Sequence, residues 1–384
     1  MAKERLLKKI RSIIQEEGQI SFDRYMDLAL YDPEEGYYSG ELNIGFEKGD
    51  YYTAPHLHPL FGTLVAKQVL EMIRLLGEGP CALIELGAGK GLLAYDVLSF
   101  LRKNAGEAFD RLRYILVERS ARMRELQERR LSPWKEKIEW CADLSAMVSD
   151  RVRGCVLSNE FFDALPVHRL LLRGDQIQEI YVANARAGFT EVLGQVSSDL
   201  LRQKVEALEF KPKTPTMIEV NLLAPRWLEA IARSLDRGFV ITIDYGHLAH
   251  DLYSQRRPRG TLLCYYRHTV SEDPYERVGE QDITSHVNFT DLIRTGEQAG
   301  MGTVGFSDQT HFLMGLGIAQ EMERIVSQGA ATAQGEREFL ALKQLIDPAG
   351  MGRVFKVLVQ SKNIEGKGLA GMTYRPFFPE AITR

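Results

Sequence analysis

A short apolar run, CALIEL (81–86), breaks into Glu85-Leu86-Gly87-Ala88-Gly89-Lys90-Gly91 and continues as a helical stretch from about Leu92 to Lys103. This feature restricts the fold most. Glycines between a strand and a helix permit a sharp turn and let the backbone approach a ligand closely. The same alternation continues downstream. RYILVE (113–118) reads as a second strand, followed by a helix, ARMRELQERR, that Ser120 can cap. KIEWC (137–141) and GCVLSNE (154–160) supply two more strands. Strands separated by helices of this length predict an α/β fold with a parallel-rich sheet, right-handed crossovers and helices on both faces.

The remainder of the chain divides around that sheet. Residues 1–60 read as a helical segment and a closing loop, in which Ser21 is placed to cap a helix ending at Asp32-Pro33. Residues 61–166 form the first part of the ligand-binding domain. Hairpin segments HRLLLRG, EIYVAN and TEVLG, with a polar helix, mark 167–235 as an insertion. The sheet resumes at GFVITIDYG (238–246) within a final part, 236–384, which carries a substrate-side insertion at about 247–288 and closes with helices near 310–345 and a strand at 352–361. The N-terminus and the insertions are expected to build a smaller second lobe.

Spacing narrows the ligand. A dinucleotide fingerprint needs a third glycine where Leu92 stands, and a phosphate loop needs Ser or Thr directly after Gly-Lys, where Gly91 stands. What survives is GxGxG preceded by Glu85, a turn suited to a nucleoside without pyrophosphate. Glu118, ending the second strand, is the expected acceptor for ribose hydroxyls. Asp143, after the third strand, falls where an acid can meet an adenine amino group.

Composition excludes other classes. A net charge of −4 with 26% charged residues gives no sign of a nucleic-acid partner. No run reaches the ~18 apolar residues of a membrane span. Cys81, Cys141, Cys155 and Cys264 are solitary, in or beside apolar runs, so the expectation is a reducing compartment: cytoplasm, or mitochondrial matrix in a eukaryote. Leu6, Leu7, Ile10, Ile13 and Ile14 recur at helical spacing, which predicts an amphipathic surface helix. His56 and His58, and His247 and His250, lack a third ligand cluster, so no metal site is expected.

Several rarer strings carry a resemblance. They are Gly49-Asp50-Tyr51-Tyr52-Thr53-Ala54-Pro55, Phe61-Gly62, ELGAGKG, SNEFFDALPVHR (158–169), Asp244-Tyr245-Gly246, Gly260-Thr261 and Asp282-Ile283-Thr284-Ser285-His286-Val287-Asn288-Phe289. In this order, over nearly the whole chain, they resemble the MidA-type S-adenosylmethionine-dependent methyltransferases, among them a mitochondrial arginine methyltransferase that assists complex I assembly. Two departures stand out: His56-Leu57-His58 replaces a run beginning with Glu, and GAGKG replaces the commoner GPGRG. The resemblance implies a class I, Rossmann-like methyltransferase fold and S-adenosyl-L-methionine as methyl donor. It also implies a protein acceptor, by analogy a respiratory complex subunit methylated on arginine, with symmetric dimethylation in the mitochondrial relative.

Candidate site residues follow from chemistry and position. Methyl transfer from a sulfonium is an in-line displacement, so the protein's main task is alignment. Asn159-Glu160-Phe161-Phe162-Asp163 directly follows a strand, where ligands of open parallel sheets collect. A guanidinium is a fixed planar cation that a carboxylate matches. Glu160 is expected to hold it, with Asp163 second and Asn159 orienting, while Phe161 and Phe162 wall the pocket. Gly87, Ala88, Gly89 and Gly91 are expected against the cofactor, Tyr52 and Thr53 closing over it, and His286 on the substrate side. Two alternatives remain open: a non-catalytic assembly factor or chaperone on a methyltransferase scaffold, and a small-molecule methyltransferase. The acceptor atom and the oligomeric state are not legible.

Overall fold

The computed structural model describes residues 4–39, 53–143, 151–208, 210–329 and 332–374. The central sheet has eight strands among the described residues, the short Val287–Asn288 pairing parallel with the end of Leu235–His247 and the other seven forming one path: β1 (Cys81–Leu86), β2 (Leu112–Val117), β3 (Ile138–Cys141), β4 (Val152–Asn159), β5 (Leu235–His247), β6 (Gly302–Asp308) and β7 (Phe355–Lys362). Their order is β6-β7-β5-β4-β1-β2-β3. The strands from β3 to β5 run parallel, and β7 is antiparallel to both β5 and β6. Strand order reverses between β1 and β4, the switch point at which a doubly wound sheet opens a crevice.

β1 is buried along its whole length. Both sheet faces are covered, so an uninterrupted apolar run is stable where alternation would bury polar groups. Leu83, Tyr114, Leu157 and Ile241 pack on one face beneath helix Leu60–Leu76 and helix Leu92–Asn104. Ile84, Ile115, Val156 and Val240 pack on the other with helices Leu223–Ser234 and Phe289–Gln298. Gly154 on β4 and Gly238 on β5 are paired across the sheet, and neither position has room for a side chain. A Cβ on Gly154 would stand 1.9 Å from the Ala82 carbonyl oxygen, and one on Gly238 1.8 Å from that of Gly154.

Residues from 6–37, 167–189 and 262–283 pack together. Ile20–Ser21 pairs with Gln176–Asn184, which also pairs with His168–Arg173 and Phe189–Gly194; Thr216–Val220 extends the far edge. Leu6, Ile10 and Ile14 line the buried face of helix Glu4–Glu17, as their spacing predicts. With Phe22, Tyr25 and Met26 they pack on Val182, Leu262, Cys264 and Ile283. A small sheet, Thr269–Ser271, Leu263–Tyr266 and Asp282–Thr284, closes this region over the crevice.

Some elements differ from expectation. Helices Leu60–Leu76 and Leu223–Ser234, strand Thr216–Val220 and β6 are additional to the elements that the sequence predicts. β6 is a half-exposed edge strand starting at glycine, which leaves little apolar pattern to read. Ser21 holds the cap position without a capping hydrogen bond, whereas Ser120 Oγ accepts from the Met123 amide. The last strand starts at Phe355 because Met351–Val354 is a helical turn. No helix among the described residues is long and apolar enough to cross a membrane.

Candidate functional site

A cavity of about 1320 Å³ opens at the carboxyl ends of the strands flanking the switch point. Its floor begins with the glycine turn, where Gly87, Gly89 and Gly91 all have positive φ (63°, 50° and 73°), a conformation costly for residues with a Cβ. A Cβ on Gly87 would meet the Phe161 ring at 2.9 Å, while one on Gly89 would meet nothing within 4 Å and would project into open space. Gly87, Ala88 and Gly89 line the cavity. Gly91 does not: a Cβ there would point at Gln127 and Leu131, about 3.5 Å from each, so this glycine serves the turn into the helix rather than the cavity.

Glu118 also lines the cavity and is 9% exposed. The Ser120 amide donates to its Oε1 (2.8 Å) and Gln127 Nε2 donates to its Oε2 (3.3 Å). Gln127, fully buried, also donates to the Gly89 carbonyl (2.8 Å) and accepts from Trp140 Nε1 (2.9 Å). One amide therefore joins the glycine turn to the end of β2, a role hidden in the sequence within a polar helix. Asp143, by contrast, is exposed and outside the lining, where Ala142 takes its place. Glu85 is buried beneath the turn, accepts from the Tyr114 hydroxyl, and is pushed up to about 7 by burial, which that hydrogen bond partly offsets.

The loop after β4 forms the opposite wall. Glu160 adopts φ 55°, rare for a residue with a side chain. Its amide donates to the Ile243 carbonyl (3.0 Å), and Asn159 Nδ2 donates to its Oε1 (3.1 Å). The amides of Phe161 (3.1 Å) and Phe162 (2.9 Å) both donate to Asp244 Oδ2, and the Tyr245 amide donates to Oδ1 (2.9 Å). Asp244, quoted only for its motif, is the anchor of the loop. Phe161 lines the cavity against Trp227, ring centroids 5.0 Å apart. Phe162 is 1% exposed and belongs to the core, not the wall, because the loop turns its ring under the sheet.

Asn159, Glu160 and Asp163 all face the cavity, as does Asp282, which accepts from the Tyr38 hydroxyl (2.7 Å). Burial, followed by the Asp163 charge, holds Glu160 well above the ordinary carboxylate range. Burial, then the charges of Asp163 and Glu160, does the same to Asp244. Burial raises Asp163 to about 6 against the Tyr245 hydroxyl and backbone amides, which favour its charged form. No Lys or Arg among the described residues pairs with Glu160, Asp163 or Asp244.

This cluster has a consequence for stability. Carboxyls of the unfolded chain titrate near ~4, so the folded state retains protons that the unfolded state has already released. The associated stabilisation is complete below ~4 and is lost as pH rises through the folded values. The depressed histidines, His56 and His247 at about 4 and His286 at about 3, work the other way, but only below their unfolded value of ~6.5. Denaturation at pH 6.5, 7.25 and 8 should therefore show ligand-free stability falling steadily. Stability that is constant or rising across this range would contradict the account.

Thr53 and His56 line the cavity, with Thr53 Oγ1 2.8 Å from His56 Nδ1. Tyr52 lies outside the described residues. His286 lines the cavity beside Tyr245, their rings 5.5 Å apart, and burial keeps its ring neutral. Asp23, His168 and Glu179 form a histidine–carboxylate group away from the cavity. His168 Nδ1 is hydrogen-bonded to Glu179 Oε1 (2.8 Å) and stands 3.4 Å from Asp23 Oδ1, and Glu179 also accepts from the Ser197 amide.

Comparison with known proteins agrees with this geometry. Residues 64–307 match a family model for S-adenosyl-L-methionine-dependent methyltransferases. A crystal structure of a Burkholderia thailandensis protein bound to S-adenosyl-homocysteine is 30% identical, with a TM-score of 0.85 over 96% of this chain and 94% of that one. The Drosophila melanogaster mitochondrial protein arginine methyltransferase NDUFAF7 homolog is 28% identical over 92% of this chain and 84% of its own length. The Homo sapiens mitochondrial protein is 26% identical over 94% and 85%. With a glycine turn, the Glu118 carboxylate and an acidic loop around one cavity at the switch point, the chain belongs to the MidA-like family of S-adenosyl-L-methionine-dependent methyltransferases.

Proposed function

We propose that the chain is a protein arginine N-methyltransferase. The observation that carries this reading is the acidic wall. Half-buried Glu160 and buried Asp163 face the cavity with buried Asp244 behind them, and no Lys or Arg among the described residues pairs with any of the three. Buried carboxylates of one sign are costly unless a cation meets them, and a guanidinium is a permanent cation. Phe161 and Trp227 supply flat apolar surface against which such a planar group can lie. The relatives named as protein arginine methyltransferases support the same acceptor.

The residues present fit the cofactor. Gly89 leaves open space toward the cavity, and the Glu118 carboxylate, fixed by Ser120 and Gln127, is available to ribose hydroxyls. When bound, S-adenosyl-L-methionine supplies an electrophilic methyl carbon attached to a sulfonium. Glu160 then holds and orients the guanidinium, and Asn159 steadies Glu160. The proton displaced from the reacting nitrogen passes to a Glu160 oxygen, whose proton affinity is raised by burial and by Asp163. Phe161 and Trp227 keep water from the reacting atoms.

The test is peptide-level mass spectrometry of protein fractions incubated with the enzyme and labelled cofactor. Mono- or dimethylarginine in a protein product is the expected result. Label on lysine or on a small amine would overturn the arginine assignment, and bound cofactor without any methylated product would favour a scaffold.

A further inference from the structure

Among the polar residues that line the cavity are five buried or half-buried acids, Glu85, Glu118, Glu160, Asp163 and Asp282. S-adenosyl-L-methionine carries an ammonium and a sulfonium, which suit such a wall, but also an α-carboxylate, which does not. That carboxylate needs a region of opposite character, and the glycine-turn end provides one.

His56 and Lys90 both line this end. His56 Nδ1 is 2.8 Å from the Thr53 hydroxyl. Its Nε2 is shielded from solvent and finds no hydrogen-bond partner among the described residues. An unsatisfied buried ring nitrogen is a standing cost that a ligand can remove. Burial and then the positive charges of Lys90 and Arg130 lower His56 to about 4, so the ring is neutral and its surroundings are cationic. Burial and Arg130 act on Lys90 in the same direction. The nearby acid, Asp96, lies beside Arg130 and is pushed up to about 7 by burial, so it does not fully cancel the local charge. His58 is turned away, its Nδ1 accepting from the Leu60 amide (3.0 Å).

We propose that His56 and Lys90 form the subsite for the cofactor's α-carboxylate. The Thr53 hydroxyl donates to Nδ1, leaving the proton on Nε2, which donates to one carboxylate oxygen. Lys90 Nζ donates to the carboxylate as well. With that end fixed, the ammonium and sulfonium would be free to meet Glu160, Asp163 and Asp282. This role gives a reason for His56 standing directly after Thr53-Ala54-Pro55, where the resembling family carries Glu.

Decarboxylated S-adenosylmethionine tests this directly, because it lacks only the group in question. An acidic cavity without a carboxylate subsite would bind this analogue better, since it carries one negative charge fewer. Calorimetry on the wild-type chain should instead show S-adenosyl-L-methionine binding about tenfold or more tighter, as charge-assisted hydrogen bonds allow. In His56→Leu and Lys90→Met that preference should vanish or invert, with affinity for the analogue unchanged. His56→Gln keeps a donor and should retain part of the preference, which covers a Leu variant that does not fold. A wild type without preference, or variants that weaken both ligands equally, would overturn the assignment.

Discussion

Replacing Glu160 with Gln should leave the chain folded and able to bind S-adenosyl-L-methionine, while methyl transfer falls by about 10²-fold or more. Glu160 sits in a left-handed conformation fixed by its own amide on the Ile243 carbonyl, a bond the substitution does not touch. Gln has nearly the same shape, and the Asn159 amide can still donate to its oxygen. What disappears is the negative charge. Under the proposed function, in a cavity walled by Phe161 and Trp227, that charge would hold an arginine acceptor more strongly than it would in water and would receive the proton that leaves the nitrogen. The loss should appear in turnover and in acceptor binding, not in cofactor affinity. Stability should rise slightly above pH 7, because one member of a repelling cluster becomes neutral. Equal turnover in variant and wild type would clear Glu160 of this role and move attention to Asp163.

The framework was readable because its signals are local. CALIEL and the glycines after it specify a buried strand and a left-handed turn through adjacent residues, and Ser120 caps its helix as its position implies. Glu118 and Glu160 were legible for the same reason, since the end of a parallel strand places the next side chain in the crevice. The misses involve distance along the chain. Phe161 and Phe162 are neighbours, yet Asp244, more than eighty residues away, decides which ring faces the cavity. Gln127 lies in a helix of charged residues and gains its role from Gly89, Glu118 and Trp140. Asp143 follows a strand as Glu118 does, but β3 is the sheet edge, so its side chain reaches solvent. As a string, His56 and His58 form an HxH pair. Their orientations show instead one ring on the cavity and one on the Leu60 amide, a distinction that an HxH string does not carry.

Replacing Asp244 with Ala should cost about 2–4 kcal/mol of stability and remove most activity. Its carboxylate is the acceptor for three amides, those of Phe161, Phe162 and Tyr245. Buried donors left without an acceptor cost ~1–3 kcal/mol each, so three lost partners outweigh a single packing defect. The opposing term is relief of repulsion, because Asp244 lies near Asp163 and Glu160 and all three are held above the ordinary carboxylate range. Asp244→Asn separates the two effects. Its oxygen can still serve Phe161 and Phe162, the repulsion is gone, and only the Tyr245 amide faces a donor. Asn should therefore lose clearly less stability than Ala in denaturant titrations. Activity should follow the loop, because Glu160 is positioned by the amides that Asp244 anchors; transfer should fall further than cofactor affinity in both variants, and further in Ala. Should Asn prove as destabilising as Ala, the charge itself would be what the three amides require, and the raised proton affinity of Asp244 would have to be abandoned.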